Sequence, residues 1–383
     1  MLADCGRGKY IRSRRSALGR RPKISHLLKF RHMSTKLILV LGATGAQGLA
    51  VVDALLAPAA DGFPSPYSVR AVTRDSSSKR ARDLAAKGVE VLRGDTDDLA
   101  SIAVALKGVY GAWVNIDGFT VGEQREIFTG MRTFELAKHA GVRHLIWSSI
   151  DYVTKKGGYD PLYRVDHQDA KGRVAEWLKA QPSVVSDDEL SWSVVTTGPY
   201  MEMLNGIMGP LNLRDDGTVV FAAPIENGKA PLIALADVGY FARYTFDHRE
   251  ATSAQELEVV SETVGWDQLV ETFTKVTGHK AVFKRQTIEE WLRNYADPER
   301  PVAADAAPGS TTWGQNFSGW WRVYRDNVVT RDEAWNRKMN PNGYTLEKWM
   351  RETKYDGTLS ADILKLSEDK KGINVNFEKL KTL

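Results

Sequence analysis

From Lys36 onward, short apolar runs alternate with stretches whose apolar residues recur every three or four positions. KLILVL reads as a buried strand, and QGLAVVDALLA after it as a helix that stops near Pro58. YSVRAVTR alternates as a second strand, SKRARDLAAKG is a short helix ended by Gly88, and VEVLRGD is a third strand. LASIAVALKG is a helix closed by Gly108, VYGAWVNI a fourth strand, and GEQREIFTGMRTFELAKHAG a long helix with Gly141 as its cap. VRHLIWSSI, VDHQDAKGRVAEWLKAQ and LSWSVVTT follow as strand, helix and strand. Such regular repetition predicts an α/β fold, a doubly wound parallel Rossmann sheet with right-handed crossovers.

The second half reads differently. GTVVFAAPIENGKAPLIAL predicts two strands around an Asn227–Gly228 hairpin turn, and Asp237 suits the N-cap of a helix over VGYFARYTF. ELEVVSE is another strand. Trp266, Leu269, Val270, Phe273 and Val276 make a helical stripe closed by Gly278, and Thr287 with Glu290 fits a capping box for IEEWLRNY. These pieces predict a smaller mixed α/β C-terminal lobe. The expected division is a basic extension over 1–35, a Rossmann domain over 36–200, a smaller lobe over 201–355 with some return to the sheet, and a loosely attached tail over 356–383.

Charge changes the picture at one end only. Residues 1–35 hold ten Lys or Arg against Asp4 alone, which leaves 42 basic and 47 acidic residues in a mildly acidic body. Direct nucleic-acid binding is therefore not expected. The arm is Arg-rich, Ser-containing and acid-poor, as mitochondrial transit peptides are; Met33, just before STKLILV, equally suits a start preceded by translated leader. The expected compartment is cytoplasmic, with the nucleus as a second, and mitochondrial if residues 1–32 act as a transit peptide. No run of about 18 apolar residues suggests a membrane span. One cysteine, Cys5, and seven scattered histidines suggest neither a disulfide nor a metal site.

The chemistry centres on LGATGAQG. Gly42, Gly45 and Gly48 form G-x-x-G-x-x-G between a strand and a helix. One glycine permits the tight turn, another lets backbone approach a pyrophosphate, and the last lets helix pack on strand, so that the helix N-terminus faces phosphate. The second strand ends in Arg74, with Asp75, Lys79 and Arg80 following. An Arg fork suits a 2′-phosphate, so NADP(H) is favoured; Asp75 keeps NAD(H) open, and a solvated charge cluster is the plain alternative.

GATGAQG, VRAVTRD, GVEVLRGDTDD, WVNIDGF and AGVRHLIWSSI, with TGPYMEML, ADVGYFA and WNRKMNPNGYTLEKWM later, together resemble the NmrA-like family of atypical short-chain dehydrogenases. The resemblance runs from Lys36 to about Met350. It implies that Gly42, Thr44, Gly45, Gln47 and Gly48 hold the pyrophosphate and that Arg74, with Lys79, meets the 2′-phosphate. It further implies Asp95 and Thr96 along the adenine, Asn115 at a ribose, and Tyr200 over the nicotinamide end. Asp95 also reads as a plain turn or cap, and Asn115 as an ordinary strand end.

Classical short-chain dehydrogenases carry Tyr-x-x-x-Lys. The matching helix here has Lys171, with His167 in place of the Tyr and on the same helix face. Two functions remain open. In the first, Lys171 only holds ribose, and the protein senses redox state and regulates a protein partner, as NmrA-like regulators do. In the alternative, an NADPH-dependent oxidoreductase reduces a small carbonyl, quinone or unsaturated compound, with Lys171 or His167 as acid or base. A lysine would need burial or a cationic neighbour to titrate near neutrality. Tyr159 or Tyr163 could fold back as donor, and Ser148 and Ser149 stand where a polarising Ser is expected. Trp313, Trp320, Trp321 and Trp335 suit core packing, an aromatic pocket or a partner surface. Asn316 opens an NFS sequon, which means little without a secretory signal.

Overall fold

A computed structural model describes residues 35–59, 61–304, 306, 309–360 and 373–383. The basic extension falls outside the described residues apart from Thr35. The first half follows the predicted alternation: β1 (Lys36–Leu41), α1 (Ala46–Leu56), β2 (Tyr67–Thr73), α2 (Lys79–Ala86), β3 (Glu90–Arg93), α3 (Leu99–Ala105) and β4 (Gly111–Val114). Then come α4 (Gly118–Val121), α5 (Glu123–His139), β5 (His144–Ile150), α6 (Val153–Lys156), α7 (Asp166–Lys179) and β6 (Ser191–Thr197). The second half holds β7 (Asn212–Leu213), β8 (Val219–Ala223), β9 (Ala230–Leu232), α8 (Leu235–Asp247), α9 (Arg249–Thr252), β10 (Glu256–Glu258) and β11 (Glu262–Val264). It continues with α10 (Trp266–Thr277), β12 (Ala281–Arg285), α11 (Ile288–Leu292), α12 (Trp313–Arg325), α13 (Glu333–Met339) and α14 (Leu346–Thr353).

Seven strands form one parallel sheet in the order β10-β6-β5-β4-β1-β2-β3. The chain starts in the middle at β1, moves out through β2 and β3, then crosses back to β4. That reversal opens a crevice at the carboxyl ends of β1 and β4, the usual ligand position in such sheets. Alternate residues serve opposite faces. Ile38 and Val40 pack with Val51, Leu55, Phe241 and Ala242 of α1 and α8, whereas Leu39 and Leu41 pack with Ile102, Phe134 and Val174 of α3, α5 and α7.

The smaller lobe is held by aromatics. Trp313, Trp320 and Trp321 of α12 are buried with Trp266, Phe273, Trp291 and Trp349, so these tryptophans are core; Trp335 packs on Phe241 over the main sheet. Thr287 and Glu290 form the predicted capping box, and Gly278 ends α10 in the left-handed region.

Three expectations change. The Asn227–Gly228 segment turns, but β8 and β9 do not pair: β8 joins β12 and β7, and β9 joins β11. Pro224 and Pro231 deprive both arms of N–H donors, and Gly228 serves another need, since a Cβ there would lie 2.2 Å from the Tyr324 carbonyl oxygen. Asp237 does not cap α8, which begins after Ala234 with no side-chain cap. It is buried in the first turn, accepting from Asn340 Nδ2 and Tyr344 N at 2.9 Å each and from Ser261 Oγ. Of the expected tail, residues 361–372 lie outside the described residues, and the segment 373–383 is packed: Leu380 and Leu383 join Leu211, Val220 and Ala222, and Arg214 donates to the Leu383 carbonyl.

Candidate functional site: a cleft at the sheet's carboxyl edge

The glycine turn is built by exclusion. Gly42 has φ +77°, and a Cβ on it would sit 2.8 Å from the Asn115 carbonyl oxygen. A Cβ on Gly48 would sit 2.2 Å from the Gly42 carbonyl oxygen. Gly45 precedes α1 with no side-chain cap, which leaves first-turn N–H groups and the positive helix end available. Gly42, Thr44, Gly45 and Gln47 line a cavity of about 280 Å³, while Gly48 lies behind them as a packing position.

Val72, Thr73, Arg74, Gly94, Asp95 and Thr96 line one end of this cavity. Arg74 is exposed there, and among the described residues its guanidinium has no hydrogen bond or ion pair. Lys79 is not in the lining; it pairs with Asp83 at 2.6 Å on the outer face of α2. Arg80, which the sequence places in the same charge cluster, donates to the Thr44 carbonyl at 2.9 Å and braces the glycine turn. Asp75 accepts from Ser77 N and Oγ at 2.8 and 2.6 Å, tied into its own turn. Asp95 Oδ1 accepts from Asp97 N, but the cap of α3 is Asp98.

At the other end stand Asn115, Lys171, Tyr200, His167 and Phe119. Lys171 Nζ donates to Asn115 Oδ1 at 3.0 Å and to the Ile116 carbonyl at 2.7 Å, and pairs with Glu126 Oε1 at 2.6 Å. Glu126 is fully buried, and burial pushes its carboxyl up to about 7 against the pull of Lys171. Of the two conditions for a lysine to titrate near neutrality, Lys171 has the burial, but its charged neighbour is an acid rather than a cation. Glu126 was legible in principle: Glu126, Gly130, Thr133 and Ala137 share one stripe of α5, and a charge on such a buried stripe calls for a partner.

The Tyr200 hydroxyl accepts from Gln47 Nε2 at 3.1 Å, and Gln47 Oε1 accepts from Ser148 Oγ at 2.6 Å. Burial pushes the Tyr200 phenol up, so it holds its proton. Ser148 therefore orients Gln47 rather than facing the cavity, and Ser149 donates to the Ile150 carbonyl. The half-buried His167 ring lies 4.5 Å from the Phe119 ring, and burial lowers its pKa to about 4, so it is neutral at pH 7. Asn316 of the sequon is buried in α12, with its amide 3.1 Å from His167 Nδ1 and its oxygen accepting from Asp166 N at 3.0 Å. Tyr163 donates to Asp326 and Tyr159 is exposed; neither lines the cavity. Among the described residues there is no cluster able to hold a metal ion and no helix long and apolar enough to cross a membrane.

Residues 34–304 match the NmrA-like family. The chain belongs to that family. An NmrA-like family domain-containing oxidoreductase of Aspergillus hancockii, hkm9, is 28% identical over 270 residues, which span 67% of this chain and 77% of hkm9. NmrA, a negative transcriptional regulator solved with NADP, superposes with a TM-score of 0.63 at 18% identity, covering 88% of this chain and 98% of NmrA. An NADPH-dependent quinone oxidoreductase of Escherichia coli, solved with NADPH, gives 0.61 at 20% identity over 83% of this chain and 100% of its own. At these identities the two structures establish the Rossmann-type architecture that the NmrA-like chain shares with them.

Proposed function

We propose that this NmrA-like protein is an NADP(H)-dependent oxidoreductase of a small carbonyl, quinone or unsaturated compound. The observation that carries the reading is the continuity of the cleft. It runs from the uncapped α1 N-terminus and Arg74, past Asn115, to Lys171 and Tyr200, and on to Phe119, Val121 and His167. The residues fit a phosphorylated dinucleotide: side chains are excluded at Gly42 and Gly48, the helix end suits pyrophosphate, and Arg74 stands ready for a 2′-phosphate. Asp75, turned into its own loop, favours NADP(H) over NAD(H). Asp95 and Thr96 would lie along the adenine. Lys79 would assist the 2′-phosphate only after leaving Asp83.

When bound, the reduced dinucleotide supplies a hydride, and two-electron reduction of an acceptor also takes a proton. Tyr200 holds one at Oη, inside the cleft, with its oxygen steadied by Gln47. That phenol supplies from β6's far end what the helix position of His167 lacks. Lys171, held by Asn115, Ile116 and Glu126, would fix Asn115 beside the ribose, and neutral His167 with Phe119 would wall the acceptor side. The names of hkm9 and the Escherichia coli enzyme agree with this reading.

One observation favours the redox-sensing regulator instead: the three N–H directions of Lys171 are all taken by protein acceptors. The two separate experimentally. The full-length protein is titrated with NADP⁺, NADPH, NAD⁺ and NADH, then assayed for NADPH consumption with quinones, aldehydes and enones. Binding with consumption supports the oxidoreductase. Binding without consumption, with at least about a tenfold split between NADP⁺ and NADPH, roughly 1.4 kcal/mol, supports the sensor, and absence of binding refutes both.

A further inference from the structure

Resting on the dinucleotide reading above, we propose that Glu126 is the charge-balancing partner of Lys171, and that this buried pair is what lets the cleft accept the oxidised dinucleotide as well as the reduced one. The two forms differ by one positive charge on the nicotinamide ring. Lys171, only 7% exposed, places a cation at that end of the cleft, over the Trp147 ring at 5.4 Å. A buried ammonium beside a cationic ring is costly, because little water remains to screen the two charges. Glu126 removes the conflict: its Oε1 lies 2.6 Å from Nζ, and it has no exposure itself. It does not line the cavity, so it acts through Lys171 as a positioning residue rather than a catalytic one.

The placement is specific. Gly118, at the start of α4, approaches so closely that a Cβ there would lie 2.3 Å from Glu126 Oε2, and that oxygen has no hydrogen-bond donor among the described residues. A buried carboxylate oxygen without a donor is the exception in folded proteins. This one keeps a lone oxygen beside Gly118, so its negative charge rests on Lys171. The charged groups that act on it are Lys171 from α7, Asp117 before α4, and Glu123 on its own helix, while His167 faces Lys171; Glu123 is itself ion-paired with Arg164 and Arg173.

The test compares NADP⁺ and NADPH affinities of the full-length protein at pH 8. Glu126→Gln keeps the shape and removes the charge. The expected result is that NADPH affinity stays within about threefold while NADP⁺ affinity falls about tenfold or more, and that Glu126→Asp retains most of the wild-type ratio. In Glu126→Gln/Lys171→Gln, with both charges gone, the ratio returns towards wild type. An unchanged ratio in Glu126→Gln, or equal losses for both forms, overturns the proposal. A second measurement needs no variant: calorimetry of the wild type at pH 7 in buffers of different ionisation enthalpy. NADP⁺ binding is expected to release more protons than NADPH binding, because a cationic ring favours the Glu126 carboxylate; equal release overturns it. Failure of the wild type to bind either form defeats the dinucleotide reading, whereas binding with a charge-independent ratio defeats only this inference.

Discussion

Asp151 and Arg331, 180 residues apart, form a two-point ion pair at 3.0 and 2.7 Å in which neither side chain is exposed. Asp151 follows β5, and Arg331 lies between α12 and α13 and also donates to the Thr197 carbonyl at 3.2 Å. Burial pushes the Asp151 carboxyl up, but Arg331 and Lys156 hold it below the usual range. The pair clamps the aromatic lobe to the carboxyl edge of the sheet, beside the cleft. Removing one member leaves a buried charge short of its partner. Arg331→Met is expected to lower stability by about 3 kcal/mol, read by urea denaturation, with Lys156 limiting the loss. A loss below about 1 kcal/mol would mean the clamp is dispensable.

Arg74→Ala is expected to weaken NADPH binding about tenfold or more while leaving NADH binding within about twofold. Isothermal titration of both cofactors reads this directly. Equal losses for the two would place Arg74 away from the 2′-phosphate.

Tyr200→Phe keeps the ring and removes the Oη proton inside the cleft. For the oxidoreductase, kcat is expected to fall about a hundredfold with NADPH affinity nearly unchanged. A fall in affinity alone would make Tyr200 a cofactor-closing residue and move the proton donor elsewhere.

His144 and His167 link stability to pH. Burial lowers His144 to about 3 and His167 to about 4. Unfolded histidines take protons below about pH 6.5 while these native rings do not, so the unfolded state binds more protons and stability falls as pH drops through that window. The slope is at most about 1.4 kcal/mol per pH unit for each ring. Denaturation midpoints from pH 7 to 4.5 are expected to decline, and His144→Gln to decline less steeply. An identical slope would remove His144 from the linkage.

The parallel sheet was readable because its signals are local. The strands of the first half are short apolar runs or alternations, each helix keeps its stripe, and Gly88, Gly108 and Gly141 mark their ends within a few residues. The glycine turn was readable for the same reason at Gly48, which answers to the backbone of Gly42 and Ala43, whereas the carbonyl that excludes a Cβ at Gly42 belongs to the distant Asn115. The second half was harder. The Asn227–Gly228 signal was real as a turn, yet the partners of β8 and β9 are β12 and β11, chosen by packing on the aromatic core.

The amino-acid sequence by itself determined the order of strands and helices, the phosphate-type turn and the candidate cation Arg74, because propensity, periodicity and turn chemistry act over a few residues. Only the tertiary structure decided which polar groups meet. It buried Glu126 against Lys171, delivered Tyr200 to Gln47 from 153 residues away, turned Asp237 from a cap into a buried acceptor, and set Asn316 against His167. The physical reason is burial: a charge or amide removed from water must find its partner wherever the fold brings one, and sequence distance does not constrain that choice.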